Sequence, residues 1–122
     1  MTDATAGIES LTGLDLDPNF GEDGCRDEKF CAGYFGNIQV SAIGFTFDVM
    51  PSSQDPQETY LSACAGALAG LGGMNVDLAI GAVAQAFSAA SMSGPVELEL
   101  SGVEMKVRPG YDDRLECSFV RP

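Results

Sequence analysis

The sequence contains no histidine and no tryptophan, and it has only 6 basic residues against 18 acidic ones. Without histidine it cannot assemble a Ser-His-Asp or Cys-His nucleophile in cis, nor a histidine-bearing zinc site. Carboxylate, lysine or tyrosine chemistry stays open. Its four cysteines, Cys25, Cys31, Cys64 and Cys117, form no Cys-x-x-Cys. Neither a thioredoxin-type site nor a zinc ribbon is therefore indicated. Gly70-Leu71-Gly72-Gly73 closes a helix, whereas a phosphate cradle opens one. No motif calls for a cofactor, and the chain reads as non-enzymatic.

Long apolar runs are also missing. The stretch from Leu61 to Ala90 is broken by Gly72-Gly73, Asn75 and Asp77, so no membrane insertion is expected. The segment Met1 to Gly7 has neither a basic n-region nor an apolar h-region. As written, the chain reads as cytoplasmic. An exported or periplasmic chain relieved of its leader reads the same.

What is present suits a globular domain. The 122 residues are 45% hydrophobic and 20% charged, enough to bury a core within one domain. The formal charge is −12. Such a chain is repelled by nucleic acid, so no direct nucleic-acid binding is expected. It is drawn to a basic protein surface, including one that normally holds nucleic acid. Solubility alone accounts for the charge equally well.

Residues 1–32 read as an acidic N-terminal segment, partly loop, with a short helix near Thr5 to Leu14 carrying Ile8, Leu11 and Leu14 at helical spacing. Residues 33–122 read as a single α+β domain. Ile38 and Val40, then Phe45, Phe47 and Val49, alternate with polar residues as strands do. Asp55-Pro56-Gln57-Glu58 is a helix start, since Asp55 can cap and Pro56 fits the first turn. That helix is expected over 56–71, with Leu61, Cys64, Ala65, Leu68 and Leu71 as its stripe. Asn75 can cap a second helix over 76–90, with Leu78, Ile80, Val83, Ala84 and Phe87 as its buried face. Val96, Leu98 and Leu100, then Val103, Met105 and Val107, mark a hairpin about Ser101-Gly102. Leu115, Cys117 and Phe119 mark a last strand. The expected fold is α+β in the order β-β-α-α-β-β-β: an antiparallel sheet of about five strands with a two-helix hairpin on one face.

Three sets of residues are candidates for function. Asp15, Asp17, Asn19 and Asp23 place oxygen ligands at alternate positions of one loop, as calcium requires. The spacing departs from an EF-hand loop, because Phe20 stands where the turn glycine belongs and Arg26 where the bidentate glutamate belongs. A solvated acidic loop is the plainer reading. Cys25 and Cys31 can close a small loop, while Cys64 and Cys117 are either small core residues or a long-range bridge. Glu22, Asp23, Asp27 and Glu28 of the leader, with Glu97, Glu99 and Glu104 of the hairpin, are the candidate contacts to a basic partner. Lys106 and Arg108 lie close enough in the pattern for cross-strand ion pairs.

The first functional expectation is an acidic protein-protein interaction module. A small inhibitor or immunity-type protein fits this, with carboxylates on a rigid sheet imitating a nucleic-acid backbone. Phage-encoded anti-CRISPR proteins and other DNA mimics share its size and charge. The alternatives are an exported, disulfide-stabilised domain that binds calcium, and a structural subunit of a virion or secretion assembly.

Overall fold

The computed structural model describes residues 2–18, 30–43, 46–50, 57–109 and 115–120. They form helix α1 (Thr2–Thr12), strands β1 (Leu16–Pro18), β2 (Phe30–Phe35), β3 (Ile38–Ile43) and β4 (Thr46–Met50), helices α2 (Gln57–Gly72) and α3 (Val76–Ser93), and strands β5 (Val96–Leu100), β6 (Val103–Pro109) and β7 (Leu115–Val120). The fold is α+β, as the pattern predicts. All seven strands join one sheet in the order β1-β2-β3-β4-β7-β6-β5. Every pairing is antiparallel. Two meanders, β1–β4 and β5–β7, meet where β4 pairs with β7, and the α2–α3 hairpin crosses between them.

The sheet is larger than the expected five strands because β1 and β2 add to its first edge. β2 escapes the alternation test because Phe30-Cys31-Ala32-Gly33 carries no polar partner positions. A third helix, α1, packs against α2, burying Ala4 and Ile8 in the common core. It ends at Thr12 rather than Leu14 because Gly13 turns to φ 72° and donates to the Glu9 carbonyl at 2.9 Å. Thr12 Oγ1 donates back to the Ile8 carbonyl at 2.7 Å.

Packing on α2 explains its alanines and glycines. A Cβ on Gly66 would stand 2.5 Å from the Gly7 carbonyl oxygen, so the backbones of α1 and α2 nearly touch. Tyr60, Ala63, Cys64, Ala65, Ala67 and Leu68 are all buried. A single stripe was expected, but α2 is enclosed on several sides by α1, α3 and the sheet. The predicted capping residues Asp55 and Pro56 lie outside the described residues.

α3 behaves differently. Asn75 caps it as expected, its side chain accepting from the Asp77 amide at 2.8 Å. The buried face is Ala79, Val83, Ala86, Phe87 and Ala90. Val83 and Phe87 were anticipated. Leu78 is 53% exposed and Ile80 37%, and Ala84 is also exposed, which corrects the expected face. The smaller alanines take the inward positions because α3 lies close against α2 and the sheet. α3 is also longer than expected. With 18 residues and mean hydropathy 1.2 it is long and apolar enough to cross a membrane. This corrects the expectation that no segment is. Packing on the core accounts for part of that apolar character.

The inner face of the sheet is the core. Phe47 stands opposite Phe119, ring centroids 6.5 Å apart, and Val49 and Val107 flank Cys117 on neighbouring strands. Cys64 of α2 is bridged to Cys117 of β7, with Cα atoms 6.3 Å apart. Both cysteines are buried, so the long-range bridge is the reading the structure supports. Beside it, the Tyr60 hydroxyl donates to the Val49 carbonyl at 3.0 Å and lies 3.7 Å from Cys117 Sγ. The Tyr60 ring packs on Phe87 at 5.4 Å.

Burial pushes the Tyr60 phenol far above its ordinary range, against a partly opposing backbone hydrogen bond from Cys117. The folded chain keeps a proton that the unfolded chain releases at pH about 10. The contribution is therefore whole below that pH and declines as pH rises above it. Tyr60→Phe is expected to cost about 1 kcal/mol at neutral pH through its lost hydrogen bond. It should also flatten the loss of stability above pH about 10. Urea unfolding of both proteins across that range checks this, and parallel declines would remove Tyr60 as the cause.

Candidate functional site

Among the described residues the helices cover only the inner face of the sheet, and no element lies over its outer face. Strand alternation decides what it displays. β5 contributes Glu97 and Glu99, β6 contributes Glu104, Lys106 and Arg108, β7 contributes Glu116, Ser118 and Val120, and β4 contributes Thr46 and Asp48. Their inward neighbours are the apolar residues that bind the core, so these alternate positions, all polar except Val120, point to the other side of the sheet.

Register fixes the charge pattern. Glu97 faces Lys106, and the two make an ion pair at 3.4 Å. Arg108 faces Glu116, with Nε donating to Oε1 at 2.6 Å. That carboxylate raises the Arg108 pKa, so the guanidinium stays charged. Exposed pairs of this kind contribute about 0–1 kcal/mol each. They nevertheless occupy both described cations of the chain.

Glu99 faces Glu104 directly across the hairpin. Neither has an ion-pair partner among the described residues. Like charges opposite each other on a strand pair are destabilising. The Ser101-Gly102 turn enforces this register: both residues adopt positive φ, 53° and 79°, as a tight two-residue hairpin requires. Around the four hairpin charges and Ser118 and Val120 lies an open concavity of about 320 Å³.

The structure thus brings together Glu97, Glu99 and Glu104, the hairpin half of the expected partner surface. It adds Asp48 and Glu116, which the sequence did not single out. Their signal was present, since both sit at polar positions of alternating strands. What was missing was that β4 and β7 adjoin, and β7 adjoins β6. The leader acids Glu22, Asp23, Asp27 and Glu28 lie outside the described residues.

The calcium candidates are only partly described. Asp15 is exposed after α1, Asp17 sits on β1 across from Tyr34, and Asn19 and Asp23 lie outside the described residues. Among the described residues no group of three or more carboxylates and cysteines converges as a metal site. Cys31 lies on β2 across from Ala42, and Cys25 lies outside the described residues, as does any pairing between them.

Glu99→Lys replaces a like-charge pair with an opposite one at an exposed position. It is expected to stabilise the fold by about 0.2–1 kcal/mol, read from the urea midpoint at low ionic strength. A loss of stability would mean that Glu99 and Glu104 do not oppose each other. Comparison with known proteins found no matching family model, no matching curated protein and no matching solved structure.

Proposed function

We propose that the chain is a non-enzymatic binding module whose outer sheet face takes up a basic protein surface. The observation that carries this reading is the Glu99–Glu104 pair. Two like charges stand in register on the outer face with no ion-pair partner among the described residues. A cationic partner relieves that repulsion on docking. The five carboxylates Asp48, Glu97, Glu99, Glu104 and Glu116 outnumber Lys106 and Arg108 there, so the face attracts cations from a distance. A surface that normally cradles nucleic acid has the complementary chemistry, which makes inhibition of such a protein the form of the activity we favour.

The test is retention of basic proteins on the immobilised chain, with duplex DNA as competitor. Replacing Glu97, Glu99 and Glu104 together by glutamine should lower association rates about tenfold or more at low salt, and added salt should abolish the difference. Equal retention by the glutamine variant would sink the reading.

A second reading is favoured by the Cys64–Cys117 bridge. A buried disulfide that spans 53 residues suits a domain that folds in an oxidising compartment. The acidic face would then meet its partner outside the reducing cytosol. Alkylation of protein purified from its native host, unfolded without reductant, should leave Cys64 and Cys117 unmodified. Alkylation of both would place the protein in a reducing compartment.

A further inference from the structure

The acidic face ends at β5, which is a free edge among the described residues. It is the last strand of the sheet, and its far side pairs with no strand among the described residues. The core is unfinished there. Val103, Met105 and Val107 of β6 are fully buried, whereas Val96, Leu98 and Leu100 of β5 are only half-buried. The opposite edge of the sheet is a strand of three residues, too short to receive much.

From this we infer that β5 receives an added strand from the partner, an extended segment in which basic and apolar residues alternate. The main chain of that segment would take the unpaired N–H and C=O groups of β5, the usual source of affinity when a peptide extends a sheet. Alternation then sorts its side chains. Apolar residues would cover Val96, Leu98 and Leu100 on the inner side. Basic residues would stand beside Glu97 and Glu99 on the outer side, where Glu99 and Glu104 have no cation among the described residues.

A second copy of this chain fits less well. Two β5 strands pairing edge to edge would bring Glu97 and Glu99 of each into the same outer row, and like charges across a strand pair repel. Charged edge residues are a common device against self-pairing. The same carboxylates that exclude a copy select a cationic strand.

This inference rests on the reading of the outer face as an acidic docking surface, and the experiment separates the two. The probe is a synthetic peptide matching β5 in length, with lysine and valine alternating. The control has the same sequence with alternate backbone nitrogens methylated, which removes the N–H groups of one edge and leaves the charge unchanged. The unmethylated peptide should bind the full chain about tenfold tighter or better, and should slow amide exchange across Val96–Leu100 by a similar factor. Glu99→Lys should weaken it about tenfold while the fold persists.

Equal binding of the two peptides, or no slowing at β5, would overturn the added strand and leave charge attraction alone. Binding that survives replacement of Glu97, Glu99 and Glu104 by glutamine would sink the acidic-face reading itself. Protection of β5 that rises with protein concentration in the absence of peptide would make a second copy the occupant and overturn the proposal.

Discussion

The attachment of α2 to the middle of the sheet organises the rest of the molecule. Tyr60 donates to the Val49 carbonyl on β4, and Cys64, one turn later, is bridged to Cys117 on β7. β4 and β7 are the two strands at which the meanders join. One helix thus clasps both halves of the sheet across their seam. The clasp also decides which face is covered, because α1 and α3 pack on α2 rather than on the opposite side. The open outer face follows from it.

Close backbone packing makes the clasp possible. Gly7 and Gly66 let α1 lie against α2 with no side chain between them, and the alanines of α2 keep the layer thin. Small residues bury little area each, so the layer relies on contact on many sides of one helix. A bridge that closes a long loop adds stability to such a thin core, mainly by restricting the unfolded chain. The arrangement leaves α3 with an outer face of low charge, where Leu78 and Met92 are exposed.

The open face and the clasp serve opposite needs. Inside, Tyr60 and the bridge are buried, and among the described residues every buried side-chain polar atom has a partner. Outside, the hairpin register sets Glu99 opposite Glu104, and like charges so placed generally disfavour a strand pair. β5 joins the two regimes, with one row of side chains half inside the core and the other in the acidic field.

Local pattern determined a good deal from the sequence alone. Alternation located β3 to β7, Ser101-Gly102 located the hairpin turn, and Asn75 located the start of α3, because each depends on neighbours within a few residues. The charge on the hairpin was legible for the same reason. Tertiary structure alone decided the rest. Leu78 and Ile80 suit a buried helical face as well as Val83 does, and only the position of α2 and the sheet turns alanines inward instead. The pairing of Cys64 with Cys117 needed the seam between β4 and β7, which no spacing reveals. Asp48 and Glu116 join the acidic face only because strands distant in sequence are hydrogen-bonded neighbours. Side-chain periodicity is a property of the segment, whereas strand order is set by which faces must be buried together.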